Sequence, residues 1–118
     1  MRKQTAAVLL AAIIMSGCAS GPINPTPAIK RPDSAVTVTI ERNRSLVGAP
    51  ATMFFVINNQ RVYALQIGQR WSFRIDAGEH RFGYDLGFNS CRQRVMLEPG
   101  KRYFVKLTPI CEIEPRPF

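Results

Sequence analysis

From Val36 onward, apolar and polar residues alternate along the chain with a period close to two. Val36, Val38 and Ile40 alternate with two threonines and a glutamate. The same alternation recurs in residues 70–75, 80–88 and 103–108. A period of two is typical of a β-strand with one buried face, and no stretch of the sequence shows a helical stripe. The pattern therefore predicts an all-β domain.

Turn-forming residues separate these segments at regular intervals. They are Gly48-Ala49-Pro50, Asn58-Asn59, Gly68, Asp76-Ala77-Gly78, Asn89-Ser90 and Pro99-Gly100. Because asparagine tolerates a positive φ, Asn58-Asn59 predicts a two-residue hairpin between strands Met53–Ile57 and Gln60–Leu65. About six or seven strands in this length predict a small antiparallel β-sandwich or partly closed barrel over residues 36–118, with an extended C-terminal tail.

The strand Met53–Ile57 is apolar at every position. One face of a sandwich strand normally meets water, so a second apolar face needs cover. We expect either the N-terminal segment or the proline-rich tail after Cys111 to cover Met53, Phe55 and Ile57, with an external partner as the alternative.

The last two cysteines of the domain, Cys91 and Cys111, are predicted to form a disulfide. A register that pairs Val95 with Val105 and Leu97 with Tyr103 brings the two cysteines to one face of a final hairpin. A small domain with a thin core benefits from such a covalent link. The alternative is two buried free thiols.

The N-terminus has the pattern of a secretory signal. Arg2 and Lys3 precede an uncharged apolar run from Ala6 to Met15, which is shorter than the ~20 residues that span a bilayer. Met15-Ser16-Gly17-Cys18 resembles the bacterial lipoprotein signal. The resemblance implies that residues 1–17 are removed and that Cys18 becomes the acylated first residue.

Residues 18–35 form the predicted connection between the lipid and the domain. Ala19 after the cysteine implies the outer membrane, since aspartate there resembles an inner-membrane retention signal. Four prolines between Ala19 and Asp33 predict an extended tether that places the domain, facing the periplasm, about 45 Å from the lipid.

Four short motifs resemble small bacterial outer-membrane lipoproteins of unknown function with PEGA-type β domains. They are Phe55-Val56-Ile57-Asn58-Asn59-Gln60-Arg61-Val62, Leu65-Gln66-Ile67-Gly68, Asp76-Ala77-Gly78-Glu79-His80 and Pro99-Gly100-Lys101-Arg102-Tyr103. The similarity covers residues 36–108 and implies the fold alone, because that family brings no catalytic residues. It also implies that His80 closes the turn from Asp76 to Glu79.

Composition leaves little material for catalysis. The 118 residues contain a single histidine, which leaves His80 without an obvious nucleophile or orienting acid. A zinc site would lack ligands, and no phosphate-binding loop is present in the sequence. We therefore predict a protein that is not an enzyme and that uses no metal or cofactor.

The excess of positive charge says more about function than the candidate catalytic residues do. The formal net charge is +8, and eleven of the fourteen cations after residue 17 are arginine, which grips carboxylates and phosphates. The hairpin register places Arg92, Arg94 and Lys106 on one face. We expect this face either to bind an anionic partner or to be solvated and neutralised by nearby glutamates.

These observations predict a lipid-anchored protein whose β domain binds another envelope component, either a protein or an anionic glycan or lipid. Nucleic acid is excluded by the predicted compartment. The alternative is a periplasmic inhibitor of a hydrolase such as lysozyme, which a basic domain fits less well because lysozymes are themselves basic.

Overall fold

The computed structural model describes residues 20–44 and 51–118. Residues 1–17 and Cys18, predicted as signal peptide and acylation site, lie outside the described residues. The described part contains nine strands and one short 3-10 helix, Pro32–Ser34. The strands are β1 (Gly21–Pro22), β2 (Val36–Arg42), β3 (Met53–Ile57), β4 (Gln60–Leu65), β5 (Arg70–Ile75), β6 (Gly78–Asp85), β7 (Ser90–Leu97), β8 (Arg102–Leu107) and β9 (Arg116–Pro117).

The strands form two sheets that pack as a sandwich. One sheet has five strands in the order β1-β4-β3-β6-β7, and the other has four in the order β5-β2-β8-β9. The sheets do not close into a barrel, so the sandwich is the correct one of the two predicted architectures. Seven strands have five or more residues, in agreement with the sequence pattern.

The sandwich is not wholly antiparallel, because β2 and β8 pair in parallel. This pairing also overturns the predicted final hairpin: β7 pairs with β6 in the five-stranded sheet, whereas β8 pairs with β2 in the other. The Pro99-Gly100 turn therefore carries the chain from one sheet to the other. Val95 and Tyr103 remain buried, because both strands still present their apolar face to the common core.

The core lies between the two sheets and is rich in aromatic rings. Phe55 contacts Phe73 and Phe82, with ring centres 5.9 and 5.4 Å away. Tyr63 stacks on Trp71 at 4.3 Å across the sandwich. Such tilted and offset ring pairs add to the stabilisation that burial alone provides.

The apolar strand β3 is covered from within the domain, chiefly by the opposite sheet. Met53, Phe55 and Ile57 are fully buried because they face the opposite sheet. On the outer side, the guanidinium of Arg61 lies 4.4 Å from the centre of the Phe54 ring. An arginine side chain can cover apolar surface in this way while keeping its charge in water.

The predicted hairpin between β3 and β4 is confirmed. Asn58 and Asn59 both have positive φ, at 49° and 72°, as a two-residue turn of this kind requires. The Asn58 side chain also accepts a hydrogen bond of 2.9 Å from the backbone N–H of Arg81, which ties the turn to the neighbouring strand β6.

The proline-rich segment differs from a free spacer. Gly21 and Pro22 pair with Ala64 and Tyr63 on the edge of β4, and the Ile23 N–H donates to the Val62 carbonyl at 2.9 Å. The edge of β4 offers unpaired backbone groups, and residues 21–23 satisfy some of them. The segment is extended, but it runs along the domain.

The far end of this segment is fixed by Asp76. Its carboxylate accepts hydrogen bonds from the backbone N–H groups of Lys30 and Arg31 at 3.0 Å. These two bonds, aided by the charge of Arg31, hold the pKa of the Asp76 carboxyl below its usual value. The segment is therefore attached at both ends.

A buried arginine closes the end of β2. Arg42 occupies the inward position that follows Ile40 and is only 2% exposed. Its guanidinium donates to the carbonyls of Ala51 and Leu65 at 2.7 and 2.9 Å. Burial lowers the pKa of this group from its usual value, yet the paired carbonyls satisfy its donors.

Among the described residues, none belongs to a helix with the length and apolarity needed to cross a membrane.

Candidate functional site

The two predicted disulfide cysteines are joined. Cys91 in β7 and Cys111 in the tail have Cα atoms 5.3 Å apart, and the bond links the five-stranded sheet to the chain that follows β8. The tail is further held by Ile113, which is buried in the core, and by the Cys111 N–H, which donates to the Tyr84 hydroxyl at 3.0 Å. The disulfide therefore helps to fasten the tail to the five-stranded sheet.

Arg92 is occupied by contacts within its own sheet. Its guanidinium donates to the carbonyls of Tyr84 and Cys91 and to the Asp85 carboxylate at 2.9 Å. Arg61 holds the second Asp85 oxygen at 2.8 Å. Although burial opposes it, these two hydrogen bonds keep the pKa of Asp85 below its usual value. Arg92 therefore belongs to a structural ion-pair cluster.

Arg94 and Lys106 do not share a face, which corrects the predicted cluster. Arg94 lies on the outer side of the five-stranded sheet and pairs with Glu79 at 2.7 Å. Lys106 lies on the opposite sheet, 3.9 Å from Glu41. The predicted cluster of Arg92, Arg94 and Lys106 depended on the β7–β8 hairpin, which does not form.

His80 fills the turn-closing position that the family resemblance implied. Its Nε2 atom lies 2.8 Å from the Asp76 carbonyl, so this nitrogen carries the proton and donates it. The Nδ1 atom accepts from the Asn58 amide at 3.3 Å. Both ring nitrogens are thereby engaged in contacts that link two turns at one end of the sandwich.

A shallow hollow of about 310 Å³ lies beside His80, lined also by Asn58, Glu79, Arg81 and Arg94. Its only carboxylate, Glu79, is the partner of Arg94. Across residues 20–44 and 51–118, no three histidine, cysteine or acidic side chains are grouped as metal ligands.

The outer side of the four-stranded sheet carries a denser set of positive charges. On its strands, five cations and one carboxylate point outward, and we call this surface the basic face. Its cations are Arg70, Arg74, Arg102, Lys106 and Arg116, and its carboxylate is Glu41.

The strand register fixes the layout of the basic face. Thr37 has Arg74 on one side and Arg102 on the other, so these two arginines lie two strands apart, about 10 Å between Cα atoms. One row further along, Thr39 lies between Ser72 and Phe104. The centre of the face therefore offers hydroxyl groups, and Thr39 and Ser72 are within hydrogen-bond distance at 2.7 Å.

The charges on this face are only partly neutralised. Glu41 pairs with Arg70 at 3.0 Å and lies 3.9 Å from Lys106. Arg74 donates to the Pro32 carbonyl at 3.2 Å, and Arg102 lies over the Phe118 ring at 5.2 Å from its centre. Neither contact supplies a negative charge, so a ligand carboxylate or phosphate would find unneutralised guanidinium groups here.

A groove of about 690 Å³ borders the basic face where the tail leaves β8. Lys106 and Arg116 contribute positive charge to its lining, and Glu112 and Glu114 of the tail contribute negative charge. The groove is therefore mixed in charge, whereas the sheet surface beside it is mostly positive.

Sequence reasoning identified the excess of arginine but placed it on the wrong surface. The cations of the basic face come from three separate strands, β5, β8 and β9, and no local pattern reveals that β2 lies between β5 and β8. The available signal was the outward position of each cation in its own alternating strand, as in Arg70-Trp71-Ser72-Phe73-Arg74.

Comparison with known proteins gives a likeness in fold. No model of a known protein family matches the chain, and no curated protein matches it either. Among solved structures, the N-terminal domain of AlgF from P. aeruginosa is similar, with a TM-score of 0.53 and 12% identity. The match covers 75% of this chain and 98% of that one. Membership of the PEGA-type group remains a prediction.

Proposed function

We propose that this chain is a lipid-anchored outer-membrane protein, acylated at Cys18, whose β domain binds an anionic component of the envelope through the basic face. The supporting observation is the excess of five cations over one carboxylate on the outer side of the four-stranded sheet. The ligand chemistry is a set of carboxylates or phosphates, supplied by an acidic protein surface or by an anionic glycan or lipid.

Two features of the face suit such a ligand. Arginines on both sides of Thr37 can grip separate anionic groups, since the guanidinium fork binds carboxylates and phosphates with two parallel hydrogen bonds. The threonine and serine hydroxyls between them can donate to a ligand oxygen. An inhibitor of lysozyme is the weaker alternative, because a basic face and a basic enzyme repel each other.

We assign no catalytic role to His80. A general base must be free to accept a proton from a substrate, whereas the His80 nitrogens are occupied by Asp76 and Asn58. The domain in this proposal is a binding module.

Crosslinking and pull-down from intact cells test the proposal. The variant pair Arg74→Ser and Arg102→Ser removes two charges from the basic face, and recovery of a consistent partner should fall at least tenfold. The matched control is Arg81→Ser with Arg94→Ser, which removes two charges from the outer side of the other sheet and should leave recovery unchanged.

Protease treatment of the extract separates the possible sources of the anion, because it removes a protein ligand and leaves a glycan or lipid ligand. With any of these ligands, recovery should weaken as salt rises, because exposed charge contacts are screened. Equal recovery by both variant pairs would contradict binding through the basic face.

A further inference from the structure

The length of free chain before the domain is short. Because Gly21 already pairs with Ala64, the residues that follow it cannot extend away from the domain as a spacer. Three peptide units separate Cys18 from Gly21, and they span at most about 11 Å. An acyl group on Cys18 would therefore hold the domain close to the bilayer surface.

The position of Gly21 also determines which end of the sandwich lies closest to the bilayer. Ala64 is next to Leu65, the last residue of β4, and Leu65 pairs with Met53 at the start of β3. We call this end of the sandwich the anchor end. The described parts of its loops are residues 43–44, 51–52, 66–69, 86–89 and 108–111.

Two large apolar side chains project from the loops of the anchor end. Phe88 is 66% exposed and Ile110 is 73% exposed. Their loops are held together, because Asn89 donates to the Pro109 carbonyl at 2.6 Å and the Cys91–Cys111 disulfide lies directly behind them. The two side chains therefore form one supported apolar tip.

The turns at the opposite end of the sandwich are polar and present Asn58, Asn59, Asp76, Glu98 and Lys101. Two exposed apolar side chains, Ile29 and Phe118, also lie near that end, but on the terminal segments and away from the attachment point of the lipid. The Phe118 ring is partly covered by the Arg102 guanidinium, 5.2 Å from its centre. The apolar tip and the attachment point of the lipid thus lie at the same end, and apolar loop tips beside a lipid anchor suit insertion into the headgroup region of a bilayer.

We infer that the anchor end rests on the membrane, with Phe88 and Ile110 inserted into the lipid interface and the basic face directed sideways along the membrane surface. This inference rests on the proposed acylation of Cys18. The sequence pattern predicted a domain held away from the membrane by an extended tether, whereas this inference places the domain directly on the phospholipid surface.

Paramagnetic broadening in nanodiscs tests the orientation. The processed protein is purified from membranes and its intact mass is measured, so that acylation of Cys18 is established separately. It is then placed in nanodiscs of phosphatidylethanolamine and phosphatidylglycerol (3:1) that contain a lipid with a gadolinium-chelating headgroup. Amide signals of residues 86–89, 110 and 111 should lose more than half of their intensity, while those of residues 58–60, 100 and 101 should keep most of theirs.

In the variant Phe88→Ser/Ile110→Ser, the amide signals of residues 86, 87, 89 and 111 should be at least twofold stronger than in the parent, since the tip no longer inserts. Met96→Ser is the control, because Met96 is 60% exposed on a sheet face and not at the anchor end. If acylated protein shows equal broadening at the two ends, the docking inference is wrong while the lipid anchor stands. An unmodified Cys18 would overturn the anchor and the docking together.

Discussion

Gly83 in β6 lies directly beneath the side chain of Arg92 in β7. A Cβ atom on Gly83 would collide with the Cys91 carbonyl oxygen and approach the Arg92 Cδ atom to 2.7 Å. The missing side chain is what allows Arg92 to cross the sheet surface and reach Asp85. A glycine within a strand here marks a close approach of neighbouring groups.

Substitution Gly83→Ala should therefore destabilise the domain by about 1–3 kcal/mol, the usual cost of overpacking. Backbone atoms of Cys91 provide the clash, so a rotamer change cannot relieve it. Urea unfolding followed by circular dichroism measures the difference. Gln93→Ala, at an exposed position of the adjacent strand, should stay within about 0.5 kcal/mol of the parent, and an equal loss in both variants would contradict the packing argument.

Loss of the disulfide should lower the unfolding free energy by about 3 kcal/mol, because the bond closes a loop with a sequence separation of 20. The double variant Cys91→Ala/Cys111→Ser supplies the comparison in chemical denaturation. It should also expose Ile113, since the tail loses its covalent attachment to the sheet. Reductant should lower the midpoint of the parent and leave the double variant unaffected; no response in the parent would count against this role.

Replacement of the buried Arg42 by alanine should cost about 2–4 kcal/mol, because the carbonyls of Ala51 and Leu65 lose a charged donor in the core. Thermal unfolding of the variant measures this loss. Arg70→Ala is the control, since that side chain is 64% exposed and its ion pair contributes at most about 1 kcal/mol. Comparable losses in the two variants would show that burial is not the cause.

Acid should loosen the N-terminal segment through Asp76. The folded pKa of this carboxyl is depressed, so its stabilising effect is present above the unfolded pKa of about 3.9 and is lost as pH falls through the folded value. The protection factors of the Lys30 and Arg31 amides, measured relative to the intrinsic exchange rate at each pH, should fall over that range. Asp76→Ala should show low protection of these amides already at pH 6, whereas Asp33→Ala, which removes an exposed acid of the same segment, should resemble the parent.

The local sequence pattern was sufficient to predict the strands and the β3–β4 turn, because alternation and the Asn58-Asn59 pair act within a few residues. It was insufficient to predict which strands pair with each other. Val95 and Tyr103 face the same core whether β7 and β8 pair with each other or lie in different sheets, so burial does not distinguish the two arrangements. The disulfide was predicted correctly for the same reason: Cys91 and Cys111 both approach the core, whichever sheet holds each chain segment.

The error in the candidate site follows from the same limitation. Arg92 and Lys106 were grouped by a hairpin register, and the real neighbours of Lys106 come from β2, sixty-five positions earlier in the chain. The docking of residues 21–23 was also invisible in the sequence, because prolines predict extension but do not reveal an available strand edge.

The parallel pairing of β2 with β8 has a consequence for how the chain acquires its fold. The four-stranded sheet needs residues 36–42 and 102–107 side by side. A chain that is made from its N-terminus onward therefore cannot assemble this sheet until residues 102–107 have been made. Pairings between such distant segments close large loops and slow the search for the native state. The four-stranded sheet should therefore form only once residues 102–107 are available, and a chain truncated before residue 102 should remain sensitive to protease.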